Sequence, residues 1–322
     1  MRGRKEGLPL HNPFSSIEAV QQTMAAQGYV AEQSLATAIY LSFALEMPLF
    51  LEGEAGVCKT EVAKALAACL GKPLLRLQCY EGLDRQSALY EWNYPRQLLH
   101  IRVAEAANRP LEGGLEFARQ LEQELFTEEF LLKRPLLAAI SSTGPAPVLL
   151  IDEVDRSDEE FEAFLLELLA EFQITIPELG TISAVERPLV ILTSNRTREL
   201  HDALKRRCLY HWLEYPDFAK EFEILTNVVP DLPKQVAKEV VGFVQLLRHQ
   251  PLQKKPGVAE TVSWGKALAA LHTIQLDVTR VEETLGCLLK YRDDFEFLLN
   301  SQGSAKTASL YEIMQQLGVS RL

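Results

Sequence analysis

The chain has 322 residues, 47% of them hydrophobic and 24% charged, with a net charge of −11. That is enough for one large domain or two moderate ones around a substantial core, and the acidic balance argues against a surface built for nucleic-acid phosphates. No apolar run reaches the roughly 18–20 residues of a membrane span, the basic start at residues 1–5 lacks the apolar stretch of a secretory signal, and five cysteines without a CxxC pair read as free thiols of a reducing cytoplasm, not as a disulfide framework or zinc site.

Residues 1–13 read as a loose polar arm, followed by helical periodicity over 14–27 and 31–45, split at Gly28-Tyr29. Leu49, Phe50 and Leu51 form a short buried strand. Then comes Gly53-Glu54-Ala55-Gly56-Val57-Cys58-Lys59-Thr60, with Glu61 opening a helix that stops at Gly71. Strand, tight loop, Lys-Thr and helix make up the setting of a phosphate-binding loop. Loop amides and the helix N-terminus face the phosphates, Lys59 reaches the β- and γ-phosphates, and the Thr60 hydroxyl holds Mg²⁺. The pattern asks for glycine where Cys58 stands, and a left-handed backbone there costs a residue with a Cβ on the order of 1–2 kcal/mol. A thiol at a helix N-terminus beside a lysine is also a candidate for a lowered pKa and redox sensitivity; the plainer reading is a tolerated substitution.

Further on, the pattern predicts a strand over 73–79, a helix over 83–92, a hairpin around 97–103, an acidic amphipathic helix over 115–129 and another over 128–140. Val148 to Ile151 form a buried strand that ends in Asp152-Glu153. At the C-terminal end of a parallel strand, where ligands bind, Asp152 is placed to hold Mg²⁺ and Glu153 to deprotonate a water. A helix follows over 155–172, a hairpin over 173–184, and a buried strand over 189–193 with Ser194-Asn195 at its end. Asn195 is suited to bind the attacking water or the γ-phosphate. Arg196, Arg198, Lys205, Arg206 and Arg207 cluster before a last strand at 208–213. They read either as a solvated basic face or as the source of an arginine finger. From residue 217 onward only helices are predicted: 220–229, 233–248, 261–273, 278–299 and 310–317. The expected fold is α/β, a phosphate-loop core with a central parallel sheet over 1–215, followed by an all-helical lid over 216–322.

Together these motifs resemble an AAA+ ATPase. LEGEAGVCKTEVAKALA, VLLIDEVDR, QITIPELGTISA and LVILTSNRTRELHDALKRRCLYHW resemble the MoxR family, and with YEGLDRQSALYEWNYPRQLL its CoxD-type branch. The resemblance implies ATP and Mg²⁺ as cofactors, with Lys59 and Thr60 on phosphate and metal. Asp152 and Glu153 would be the Walker B pair and Asn195 sensor 1, with Arg207 ahead of Arg206 as the finger. Tyr29 and Val30 would flank the adenine, and residues 93–115 would be an insert. It implies a cytoplasmic chaperone working as a homo-oligomeric ring of six, a partner with a von Willebrand factor A domain, and a client metalloenzyme. The client would be carbon monoxide dehydrogenase or a related molybdenum hydroxylase. The alternative is a nucleotide-binding scaffold with little turnover because of Cys58. A nucleic-acid motor is disfavoured by the charge and by the lack of a DNA-binding module. The family's lid arginine has no counterpart after Gly257-Val258, which leaves Lys254, Lys255 or Lys266 to supply a cation.

Overall fold

The structure is a computed structural model, and it describes residues 12–107, 121, 123–300 and 309–318. The chain packs as two compact units that interleave in sequence. One holds the residues up to Thr23, Glu32–Glu52 and Ala63–His211; the other holds Met24–Ala31, Gly53–Val62 and the chain from Trp212 onward.

The first unit opens with helices α1 (Ile17–Ala26) and α2 (Gln33–Ala44). The sheet strands are β1 (Leu49–Gly53), β2 (Leu74–Gln78), β5 (Val148–Asp152), β8 (Leu189–Ser194) and β9 (Leu209–Leu213), in the spatial order β2-β5-β8-β1-β9. The ladders β2–β5, β5–β8 and β8–β1 are parallel. Every residue of β1, β5 and β8 is buried, as expected of parallel strands covered on both faces, and this is why they read as unbroken apolar runs. Phe50, Leu149, Ile151, Val190 and Leu192 share one core with Phe161, Leu165 and Leu168 of the helix Glu159–Glu171.

Between β1 and β5 lie α3 (Lys59–Leu70), α4 (Arg85–Leu89), β3 (Tyr90–Trp92), α5 (Tyr94–Ala107), β4 (Leu131–Lys133) and α6 (Pro135–Ile140). Three expectations change here. The helix expected over 83–92 is only α4, capped by Asp84, and the aromatic residues after it pair antiparallel with β4. The hairpin expected around 97–103 is helix α5. Its start is set by Asn93, whose side chain accepts the Arg96 N–H at 3.1 Å, with Pro95 tolerated in the first turn. The helix expected over 128–140 begins only at Pro135; a 3₁₀ turn, Glu128–Phe130, and β4 precede it. Proline keeps the residue before it out of the helical region. Residues 115–120 and 122 of the helix expected over 115–129 lie outside the described residues, as do most of the arm and residues 301–308.

Helix α7 (Glu159–Glu171) starts later than expected, because Asp158 caps it through the Phe161 N–H at 2.8 Å. Strands β6 (Gln173–Ile176) and β7 (Gly180–Ser183) form the expected hairpin, with Gly180 at φ 82°. Helix α8 (Asp202–Lys205) precedes β9.

After β9 the described chain contains helices alone: α9 (Phe218–Val228), α10 (Lys234–Arg248), α11 (Val258–Ala270), α12 (Val278–Thr284), α13 (Arg292–Asn300) and α14 (Leu310–Gln316). The single helix expected over 278–299 is broken by a 3₁₀ turn containing Gly286. Phe243 and Trp264 pack at 5.3 Å between ring centroids in this unit's core, and Trp264 Nε1 donates to Thr284 Oγ1 at 2.8 Å.

Candidate functional site

The loop after β1 keeps a glycine-like course without its second glycine. Gly56 has φ 87° and Cys58 φ 65°, so Cys58 adopts the left-handed backbone that the glycine would have taken freely. Lys59 begins α3; it is buried, and its Nζ donates to the carbonyls of Gly53 and Glu54, both at 2.7 Å. Val57 is buried, while Glu54, Ala55 and Glu61 are exposed and Thr60 is half-buried.

The loop is held by residues far along the chain but in the same compact unit. Tyr215 Oη donates to Ala55 O at 3.1 Å, and the Val258 N–H donates to Gly56 O at 3.0 Å. A Cβ on Gly56 would lie 2.7 Å from Gly257 Cα, and one on Gly53 would lie 2.3 Å from Leu213 O. Both glycines are therefore fixed by close backbone approach, besides any ligand. Gly257-Val258, after which the family's lid arginine was sought, is thus a packing element against the loop. Lys254, Lys255 and Lys266 are exposed. Besides Lys59, this unit buries a second cation, Arg248, which sequence reasoning missed. Its guanidinium pairs with both oxygens of Glu221 at 2.6 and 2.7 Å and lies 4.5 Å from the Tyr215 ring centroid. Tyr29 and Val30, in the same unit, are half-buried in the turn after α1, where the Tyr29 N–H donates to Met24 O.

The Cys58 thiol is not the activated group expected of a helix N-terminus. Burial first, and then the carboxylates of Glu61, Glu221 and Glu260, push it up to about 11, against Lys220, which opposes them. A thiol raised this far favours the plainer reading of Cys58 as a tolerated substitution.

In the other unit, Asp152 ends β5 and Glu153 follows it with φ 54°. Thr193 on the neighbouring β8 ties them together. Its hydroxyl donates to Asp152 Oδ1 at 2.5 Å and accepts the Glu153 N–H at 2.9 Å. Glu153 Oε2 pairs with Arg156 Nη1 at 3.1 Å. Buried Asp155 shapes the next loop, accepting the N–H groups of Asn195 at 3.2 Å and Thr197 at 2.8 Å, as well as the Thr197 hydroxyl. Arg196 then stands at φ 57°. Non-glycine residues in this region are strained, and such strain concentrates at functional sites. Thr193, Asp155 and the β2 residue Arg76, which bonds Asp152, were not singled out from sequence. Only the register of β2, β5 and β8 assembles them, although an acid three residues after Asp152 was a visible signal for Asp155.

The basic cluster separates into individual tasks. Arg198 bonds Ser157 O and ion-pairs with buried Glu162. Arg207 Nη1 donates to Leu166 O, and exposed Arg206 has no ion pair among the described residues. Arg196 and Lys205 line a cleft of about 460 Å³ with Glu52 and Tyr210, whose hydroxyl donates to Glu52 Oε2 at 2.9 Å.

β1, β8 and β5 are adjacent and parallel, so the Ser194-Asn195 turn and the Asp152-Glu153 pair leave their strands at the same end of the sheet, the end at which β1 also finishes. The family profile of the AAA domain (dynein-related subfamily) matches residues 48–208, half of the chain. The chain belongs to this family. No curated protein matches it. Two solved structures, both point mutants of RuvB from Thermotoga maritima, are similar to this AAA protein. One has 14% identity and a TM-score of 0.47 over 96% of this chain and 86% of the other; the second has 15% identity and a TM-score of 0.46 over 95% and 84%. No helix among the described residues of this AAA protein is long and apolar enough to cross a membrane.

Proposed function

We propose that this chain is a MoxR-type AAA+ ATPase that hydrolyses ATP to ADP and phosphate and uses the cycle to remodel a client metalloenzyme. The observation that carries the reading is the Asp152–Thr193–Glu153 arrangement: a buried carboxylate at a strand end, with the next carboxylate held in a strained backbone by the same threonine. The chain's residues also fit a nucleotide with Mg²⁺. Cys58 takes the left-handed backbone open to a glycine, and Lys59 begins α3 directly after it, the loop-then-helix order of a phosphate cradle. Mg²⁺, bound with the nucleotide, supplies charge neutralisation at the phosphates.

Lys59 binds the phosphates in this reading, and Thr60 and Asp152 hold the metal. Glu153 takes the proton of the attacking water, and Asn195 orients that water. Arg207, with Arg206 second, reaches the nucleotide of a neighbouring subunit in a ring of six; Tyr29 and Val30 flank the base. The nucleotide-binding domain is residues 1–215 and the helical lid 216–322. The protein works in the cytoplasm with a von Willebrand factor A domain protein. The CoxD-like motifs favour a molybdenum hydroxylase such as carbon monoxide dehydrogenase as client.

Two observations favour a second reading, a nucleotide-binding scaffold with little turnover: Cys58 holds a strained φ, and Lys59 Nζ is engaged by two loop carbonyls. ATP hydrolysis at several protein concentrations separates the two. Turnover that climbs with concentration and disappears in Glu153→Gln supports the ATPase. Turnover seen only in Cys58→Gly, with wild type inert, supports the scaffold.

A further inference from the structure

Arg76 has no part in the roles above, yet it bonds closely to the carboxylate assigned to the metal. Its Nε and Nη2 both donate to Asp152 Oδ2, at 2.9 and 2.5 Å, and Nη2 also reaches Gln78 Oε1 at 2.5 Å. The register creates this contact. Gln78 lies opposite Asp152 in the parallel β2–β5 ladder, and Arg76, two residues earlier, shares its face of β2. The Arg76 side chain is 47% exposed and that of Asp152 3%, so the guanidinium reaches from the surface onto a buried carboxylate. The other oxygen, Oδ1, accepts the Thr193 hydroxyl. Protein donors therefore engage both oxygens of Asp152, and a fork of two N–H groups on one oxygen is a strong, oriented contact.

We infer that Arg76 is a built-in competitor for the divalent cation at Asp152 and sets the Mg²⁺ concentration that tight nucleotide binding requires. This rests on the reading of Asp152 as a metal carboxylate. A guanidinium and a divalent cation cannot both approach Oδ2 without strong mutual repulsion. Metal engagement thus displaces Arg76 and releases its hold on Gln78 at the end of β2. Arg76 is a positioning residue: without the metal it balances a buried charge whose uncompensated state is costly, and it yields when the metal arrives.

The test is binding of a fluorescent ADP analogue to the full chain, titrated with Mg²⁺ from an EDTA baseline. Thermal melts are run on the same samples. In Arg76→Met the half-saturating Mg²⁺ concentration is expected to fall about tenfold, a shift of about 1.4 kcal/mol. The affinity for the analogue in EDTA stays as in wild type. The melting temperature falls in EDTA and recovers when Mg²⁺ and nucleotide are added together. Arg76→Lys should lie between, because a single ammonium cannot reproduce the fork; it carries the same sign of test if Arg76→Met does not fold. An unchanged or raised Mg²⁺ requirement, with nucleotide still bound, overturns the competition and leaves the ATPase reading standing. Wild type that binds no nucleotide with or without Mg²⁺ removes both.

Discussion

Cys58 shows how a departure from a motif can change chemistry without changing backbone. Its φ of 65° lies in the left-handed region that a glycine enters freely. Cys58→Gly should remove a strain of about 1–2 kcal/mol against an entropic cost of about 0.5–1 kcal/mol. The expected net gain is about 0.5 kcal/mol in urea unfolding. The thiol itself is raised to about 11, and Cys79 and Cys208 are raised to about 12, in each case chiefly by burial. A folded pKa above the unfolded one means that the unfolded chain ionises first. Stability is therefore complete below about pH 9 and is lost as pH rises toward 11–12. Melting temperature followed against pH should fall across that window, and less steeply with Cys79 and Cys208 replaced by alanine. Thr193, fully buried, has a sharper expectation. Thr193→Val strands a buried carboxylate oxygen and a partly buried N–H, at a cost of about 2–3 kcal/mol in chemical denaturation. None of this is visible from Thr193 itself, which in sequence is one more β-branched residue in an apolar run.

Elements were legible where periodicity was strong and local. The buried strands β1, β5 and β8, the hairpin β6–β7 and the C-terminal helices α9, α10 and α14 fall where the pattern puts them. The misreadings cluster between Leu83 and Ile140, where β3 becomes a strand only because β4 lies beside it, and no local signal carries a distant partner. The same limit hid the buried pair of α9 and α10. Glu221 accepts from Arg248, Gln245 and Thr261. Removing one partner, as in Arg248→Met, should cost about 3–5 kcal/mol, whereas Glu221→Leu with Arg248→Met should be near neutral; urea unfolding of the single and double variants checks both. Gly257, at the cap of α11, is a packing glycine. Its added Cβ would meet Gly56 Cα at 2.6 Å, backbone against backbone. Gly257→Ala is expected to weaken nucleotide binding more than it lowers the melting temperature, read by analogue titration beside a melt.

For the whole molecule, the family to which the chain belongs and its proposed arginine finger make an assembly-level demand. If the finger acts in trans, a mixture of Glu153→Gln and Arg207→Ala chains, each inert alone, should recover turnover at interfaces that combine one intact Glu153 with one intact Arg207. A mixture as inert as its parts counts against the ring. The sequence by itself determined the α/β class, the order of the motif-bearing strands along the chain and the candidate residues at their ends, because each depends on contacts within one loop or one strand. Only the tertiary structure decided that Arg76 and Thr193 share Asp152, that Asp155 shapes the Asn195 turn, and that Tyr215, Gly257 and Val258 hold the phosphate loop. Those partners lie some 40 to 200 residues apart, and hydrogen bonds across such separations follow from strand register and packing, which no single window of sequence contains.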